Sequence, residues 1–180
     1  RRGVELGVID DFSLDLDEVI ERADILVICA PTLVAADLLQ QILTRLGNAG
    51  DGPVITDAAS VKGNLLQAAR QACGGNVPPR LVLGHPIAGS ERSGVDASDP
   101  ELFRHHRVIL TPVEGNEAAA VELVRDMWLS TGAEVVSMAV ADHDAVLAAT
   151  SHLPHVLAYA LVDALAQSGN SDEIFRCAAG

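Results

Sequence analysis

The sequence predicts an α/β fold built on a parallel sheet and followed by a helical segment. Short apolar runs alternate with stretches of helical spacing up to about residue 139, and beyond it the pattern becomes one long apolar helix. Apolar residues make up 49% of the 180 residues but aromatic residues only 3%. The core is therefore built from Ala, Val, Leu and Ile, as in parallel sheets covered by helices. We predict an α/β domain over residues 1–139 and the start of a helical domain over 140–180.

The individual elements follow from the periodicity and from its breaks. Predicted strands cover 23–30, 53–56, 80–84, 108–111 and 134–138, and predicted helices cover 15–22, 33–46, 61–72, 116–129 and 141–167. Strands separated by helices of roughly 10–15 residues indicate βαβ units, whose strands run parallel. Asp57 or Ser60 is expected to cap the helix over 61–72.

Composition excludes several classes of partner. The formal net charge of −13 disfavours a phosphate backbone, so we expect no nucleic-acid partner. Three cysteines without metal-ligand spacing are typical of reduced thiols and predict a cytoplasmic protein. No apolar run in the sequence reaches the ~20 residues of a membrane span, so we expect no membrane association.

A histidine directly after a predicted strand is the first candidate for chemistry. His85 follows the apolar run 81–83, and ligands of open α/β sheets bind beyond the carboxyl ends of the strands. Imidazole changes protonation near neutral pH, which suits proton transfer. Gly84 and Gly89 permit close approach of a ligand. The alternative is a histidine that only supports the loop. On the same loop, Glu91 is either solvated or paired with a basic residue across a cleft.

A second candidate lies where the strand over 53–56 meets the next helix. Asp57 and Ser60 stand at this junction, and a helix N-terminus offers free N–H groups to an anion or a cofactor amide. The alternative is a simple cap by Ser60, and both roles are compatible. Lys62 opposes the helix dipole, which hints at another role for its charge.

Three histidines in the long helix do not predict a metal site. His143 and His152 lie about 180° apart on a straight helix, and His152 with His155 lacks a third ligand. We expect one or both of His152 and His155 to face the α/β layer, and we predict no metal. The helix is apolar nearly all round, which predicts burial in a helical assembly or a dimer interface.

Taken together, these segments resemble the prephenate/arogenate dehydrogenase family of tyrosine biosynthesis. The motifs that carry the resemblance are Gly7 to Asp10, Ala23 to Ile25, Ala30-Pro31, Asp57, Ser60 to Gly63, Gly84 to Glu91, Ser93-Gly94, Leu102-Phe103, Leu110 to Pro112, Trp128, Gly132-Ala133, His143-Asp144, Ser151 to His155, and Phe175 to Gly180. They cover essentially the whole chain, and their combination is specific.

The resemblance implies a fold and an activity. The fold is a Rossmann-like sheet followed by an all-helical dimerisation domain, and the expected partner is a second copy of the chain. The reaction is oxidative decarboxylation of prephenate or arogenate with hydride transfer to a nicotinamide cofactor. NAD is expected, and NADP stays possible because the segment that would choose between them is absent. The choice of substrate is open as well.

Roles for individual residues are carried over from the same resemblance. His85 would accept the substrate hydroxyl, and Ser60 would orient that hydroxyl or the nicotinamide. Substrate-binding residues would be His155, His143, Glu91 and Ser90. Cofactor-binding residues would be Ala30, Pro31, Thr32, Asp57 and Ser60.

Both ends of the chain depart from the family pattern. Neither the first strand nor its glycine-rich turn is present, and the sequence stops before further expected helices. We therefore expect a piece of a longer protein, truncated at both ends and inactive alone. Two other functions stay open. The first is another hydroxyacid dehydrogenase, which would need a lysine in the helical domain; residues 141–167 contain none, which disfavours it. The second is a non-catalytic regulatory or interaction module.

Overall fold

The computed structural model describes residues 1–47, 52–90, 92 and 94–178. The chain forms two compact units, Arg1–His143 and Asp144–Gly180. The boundary lies close to the one predicted from the change of sequence pattern, and the domain limits themselves stay a prediction.

The first unit contains all the described strands. These are β1 (Ile25–Ile28), β2 (Val54–Asp57), β3 (Gly84–Pro86), β4 (Arg107–Leu110) and β5 (Glu134–Ser137). Helices of this unit are α1 (Arg2–Glu5), α2 (Leu16–Arg22), α3 (Thr32–Leu46), α4 (Gly63–Ala72) and α5 (Ala118–Ser130), with a 3₁₀ turn over Val95–Ala97. Helix α6 (Val140–Leu147) begins in the first unit and extends into the second.

The described strands form two hydrogen-bonded sets, β1-β2 and β3-β4-β5. Strands β1 and β2 pair in parallel, and a parallel bridge between Ile55 and Leu81 connects β2 to the segment that leads into β3. Beyond that segment, β3 pairs antiparallel with β4, and β4 pairs in parallel with β5. The predicted parallel pairing is present in β1-β2 and β4-β5, and the pair β3-β4 departs from it by running antiparallel.

The reversal has a cause in the connection between β3 and β4. Parallel neighbours need a crossover, usually a helix, whereas antiparallel neighbours do not. Residues 87–106 contain only the short 3₁₀ turn among their described residues, and no helix spans the sheet there. The sequence of residues 87–106 likewise shows no helical spacing. Among the described connections between strands, the one from β3 to β4 is the one that does not form a βαβ unit.

Two apolar clusters form on the sheet because successive side chains of a strand point to opposite faces. Ile55 and Leu81 join the cluster that contains the buried residues of α2, α3 and α4. Val54 and Val82 join the other cluster, which contains Trp128 and the rest of the buried side of α5. Helices thus cover both faces of the strands, and the ends of β1 and β2 stay available for a site.

Helix α4 starts later than predicted and without a side-chain cap. Its first residue is Gly63, and Lys62 occupies the N-cap position with no capping hydrogen bond. The prediction of Asp57 or Ser60 as the N-cap residue is therefore wrong, since both precede the N-cap position that Lys62 occupies.

The long C-terminal helix is interrupted as its proline suggested. Helix α6 passes through a π-helical turn (Ala148–His152) into α7 (Leu153–Ala166), and α8 (Ser171–Ala178) follows. Pro154 lies in the first turn of α7, where its missing N–H is tolerated. No residue of α7 is buried within this chain. The expectation of burial is therefore not met by the single chain.

The same segment corrects an expectation about apolar length. Val140–Ala166 forms 27 helical residues with a mean hydropathy of 1.4 over its most apolar stretch, which on length and composition alone is enough to cross a membrane. The expectation that the sequence holds no apolar stretch of that length is therefore wrong.

Candidate active site

The site is organised by Asp57, which ends β2 and is fully buried. Its Oδ1 accepts a hydrogen bond from the Gly84 N–H at 3.1 Å, and its Oδ2 accepts one from the Ala59 N–H at 2.9 Å. One carboxylate therefore connects the turn after β2 to the first residue of β3. Burial raises the pKa of Asp57, and Lys62 with the two backbone N–H groups opposes that rise.

Lys62 completes a buried ion pair with Asp57. Its Nζ donates to the Asp57 carboxylate and, at 2.6 Å, to the Gly84 carbonyl oxygen, and its side chain is fully buried. Both backbone groups of Gly84 are thus held by the two charged side chains. This explains why a lysine stands ahead of α4 although it opposes the helix dipole.

Gly84 is required by the close approach of β3 to the end of β2. A Cβ atom at this position would lie 3.2 Å from the Asp57 carbonyl oxygen and 3.2 Å from Leu110 Cδ2. Both distances are tighter than ordinary van der Waals contact. The glycine therefore serves packing, and its conformation is that of an ordinary strand residue.

His85 lies within β3, opposite Ile109 of β4, and is partly buried. The sequence predicted a strand over 80–84 with His85 just beyond it; strand β3 instead begins at Gly84 and ends at Pro86, so His85 lies inside it. Its Nδ1 lies 2.9 Å from Nε2 of His143, and the ring centroids are 5.1 Å apart at an interplanar angle of 66°. His143, on α6, is fully buried. His143, expected as a substrate-binding residue, thus contacts His85 within the first unit, and its role toward substrate stays a prediction.

This contact sets what the pair of imidazoles can do. One proton lies between the two nitrogens, and its location depends on the tautomers. When His85 Nδ1 carries that proton and donates it to His143, the His85 Nε2 keeps a lone pair and can act as a base. His143 cannot itself reach an open surface, because none of its side chain is exposed.

A second polar group lies where β1 and β2 end. The hydroxyl oxygens of Thr32 and Ser60 are 3.3 Å apart, and Asn64 Nδ2 donates to the Thr32 carbonyl oxygen at 3.3 Å. Pro31 immediately precedes α3, which begins at Thr32, and it is exposed. Ala30 precedes Pro31 and is partly buried. These residues line the edge where the fold places its ligands.

The remaining predicted site residues are more scattered. Ser90 is exposed, and its hydroxyl oxygen accepts the Arg92 N–H at 3.1 Å. His155 belongs to the second unit, on α7, where its Nδ1 lies 2.7 Å from the Ser151 carbonyl oxygen. The expectation that His155 faces the α/β layer stays a prediction. Glu91 lies outside the described residues.

Sequence reasoning missed two contributors. The ion pair of Lys62 with Asp57 had one signal, a lysine placed unfavourably at a helix start. Asn64 had no signal, since an amide in the first turn of a helix is common. Within the described parts of the chain, no group of three His, Cys, Asp or Glu side chains is close enough to hold a metal ion.

Comparison with known proteins assigns the fold and then the family. The parallel strands β1 and β2 with helices on both faces define a Rossmann-like nucleotide-binding domain, and prephenate dehydrogenase from Aquifex aeolicus superposes on the chain with a TM-score of 0.78. Residues 1–137 match the family model for the prephenate dehydrogenase nucleotide-binding domain, and residues 139–180 match that for its dimerisation domain. The chain belongs to the prephenate dehydrogenase family.

Individual relatives agree with this assignment. The cyclohexadienyl dehydrogenase of Zymomonas mobilis is 34% identical over 166 residues, which is 89% of this chain and 52% of that protein. Prephenate dehydrogenase from Aquifex aeolicus, solved with hydroxyphenyl propionate and NAD+, superposes with a TM-score of 0.78 at 32% identity, covering 97% of this chain and 63% of that one. Synechocystis arogenate dehydrogenase gives a TM-score of 0.76 at 28% identity, covering 99% of this chain and 62% of that one. The chain spans about half the length of the curated relatives it matches.

Proposed function

We propose that the protein oxidises a cyclohexadienyl carbinol, prephenate or arogenate, and releases carbon dioxide. The carbinol carbon loses a hydride to NAD+, the bond to the ring carboxylate breaks, and its electron pair makes the ring aromatic. The hydroxyl proton passes to a base and returns to the phenolic oxygen. Prephenate would give 4-hydroxyphenylpyruvate, and arogenate would give tyrosine, with NADH and carbon dioxide in both cases.

The His85–His143 contact is the observation that carries this proposal. A neutral imidazole that donates from Nδ1 presents its Nε2 as an acceptor for the carbinol hydroxyl. His143 lies at 2.9 Å on the other side, where it fixes the orientation and tautomer of His85. A base held in this way accepts the proton as the hydride leaves, which is the step that the reaction requires.

The residues at the ends of β1 and β2 fit the nicotinamide end of a dinucleotide. The turn after β1 leads directly into α3, whose first N–H groups are available to polar groups of a ligand. The Thr32 and Ser60 hydroxyls add donors and acceptors that suit a carboxamide. Ala30, Pro31, Thr32 and Ser60 would hold this cofactor, which supplies the hydride acceptor. NAD is the cofactor named in the Aquifex aeolicus complex, and NADP is the alternative.

From the family resemblance, we propose His155, Ser90 and Glu91 as substrate-binding residues, with His155 positioning the substrate. His143 was first expected to bind substrate directly, but its complete burial against His85 favours an indirect role in orienting the base.

The second unit would serve as a dimer interface. Its α7 exposes Leu153, Val156, Leu157, Leu161 and Val162, each more than half accessible. Such a surface needs a partner. The match of residues 139–180 to a dimerisation domain favours a second copy of the chain over a membrane as that partner. We therefore propose a cytoplasmic homodimer.

An assay of the whole protein tests the proposed function. Purified protein is mixed with prephenate or arogenate and with NAD or NADP, and the reduced nicotinamide is followed at its absorption band together with released carbon dioxide. At least one combination should give the two products in equal amounts. Absence of reduced cofactor in all four combinations, with a folded protein that binds NAD, would reject the proposal.

A further inference from the structure

We propose that Asp57 and Lys62 are positioning residues, which fix the backbone next to the base His85 and next to Ser60. In this proposal Asp57 does not bind the cofactor. This inference rests on the proposed function, since it assigns the base whose position is controlled. It replaces the expectation, drawn from the family resemblance, that Asp57 lines the cofactor.

The contacts of the Asp57 carboxylate leave it no outward role. Its side chain is about 1% exposed, its Oδ1 is taken by the Gly84 N–H, and its Oδ2 is taken by the Ala59 N–H and by Lys62. A group that holds a cofactor has to present an atom at the surface of the site. The Asp57 carboxylate is buried and already accepts bonds at both of its oxygens.

The same contacts connect two segments that are distant in sequence. Ala59 directly precedes Ser60, and Gly84 directly precedes His85, so the carboxylate is bonded one residue away from each proposed functional side chain. Lys62 adds the bond to the Gly84 carbonyl oxygen. The backbone of Gly84 is thus fixed at both its donor and its acceptor.

A buried ion pair is a costly way to achieve stability alone. Apolar residues of similar volume often stabilise a fold as well or better, because they avoid the desolvation of two charges. Charged groups do form shorter and more directional hydrogen bonds than neutral ones. The pair is therefore suited to fixing geometry, and displacement of a reacting group by about 1 Å can lower a rate about 10²-fold.

The double variant Asp57→Asn with Lys62→Met tests the proposal in the whole protein. It removes both charges together, keeps the side-chain volumes, and leaves an amide oxygen for the Gly84 N–H. Thr56→Val is the matched control, because Thr56 is equally buried on the same strand and its hydroxyl has no hydrogen-bond partner. Melting temperature, kcat, KM for the substrate, the Kd for NAD and the pH profile of kcat are measured for each.

The expected result separates positioning from the other roles. In the double variant kcat should fall about 10- to 100-fold and its pH profile should shift, while the Kd for NAD changes by less than about threefold. Thr56→Val should keep both values. A large rise in the Kd for NAD, with kcat preserved at saturating NAD, would assign the pair to cofactor binding and reject the proposal. Loss of folding, or a lower melting temperature with unchanged kcat, would assign the pair to stability and also reject it.

A readout without turnover distinguishes this inference from the proposed function. Imidazole ¹⁵N resonances report the tautomer and environment of His85, and a His85→Asn sample assigns them. If wild-type protein turns over neither substrate, the proposed function fails. A shift of the His85 resonances in the double variant, but not in Thr56→Val, would still support positioning. Unchanged resonances would reject it.

Discussion

His85 Nδ1 and His143 Nε2 lie 2.9 Å apart although 58 residues separate them in the chain. One histidine belongs to strand β3, and the other lies fully buried on the helix that follows the last described strand. His85 is partly exposed, whereas His143 has no access to solvent. Of the two imidazoles, His85 is therefore the one that a ligand could contact.

Replacement of the accessible histidine should remove the base. We expect His85→Asn to lower kcat by about 10²–10⁴, the usual contribution of a positioned acid or base. KM for the substrate should change less, because the lost interaction strengthens in the transition state. The acid limb of the pH profile of kcat should also flatten. Steady-state kinetics of the whole protein measure all three, and a variant with more than half of the wild-type kcat would remove His85 from the mechanism.

Replacement of the buried histidine should act through its partner. His143→Phe fills the same space without a nitrogen for His85 Nδ1, and we expect kcat to fall up to about 10²-fold. His143→Gln offers an amide at that site and should retain more activity. His106→Phe is the control for an exposed histidine. Equal activity of the Phe and Gln variants would show that volume, and not the hydrogen bond, matters.

The tight packing at Gly84 predicts a penalty for a single methyl group. Gly84→Ala should destabilise the protein by about 1–3 kcal/mol and lower kcat, because the added Cβ would press on the Asp57 backbone. Gly169→Ala is the control, since a Cβ there meets nothing within 4 Å and the position has no proposed role in the site. Chemical denaturation and kcat are compared for the two. A Gly84→Ala protein with wild-type values would show that β3 has room to move.

The exposed apolar surface of α7 predicts self-association through this helix. Leu157→Asp together with Leu161→Asp should shift the protein from dimer to monomer, because each places a charge in the proposed interface. Leu129→Asp makes the same change at an exposed leucine of α5. Light scattering after size-exclusion chromatography gives the masses. A dimer that survives the double change but not Leu129→Asp would place the interface on the first unit.

Most of the fold could be predicted because its signals are local. Apolar runs bounded by Pro and Gly predicted β1, β2, β4 and β5, whereas the strand predicted over 80–84 meets β3 only at Gly84. Helical spacing predicted α2, α3, α4 and α5 with ends within about two residues. The direction of β4 was predicted wrongly. Strand direction depends on the connection, and the periodicity of each strand alone does not contain it.

The sequence by itself determined which residues were candidates for chemistry, since His85, Ser60 and His143 are polar side chains in motifs next to apolar elements. Only the tertiary structure decided their partners. Three side-chain contacts connect residues across turns or between elements. They are His85 with His143, Thr32 with Ser60, and Asp57 with Lys62. Hydrogen bonds form between neighbours in space, and periodicity reports only which face a residue occupies. For this reason Asp57 was predicted at a ligand, whereas in the folded protein its carboxylate is bonded to the chain itself.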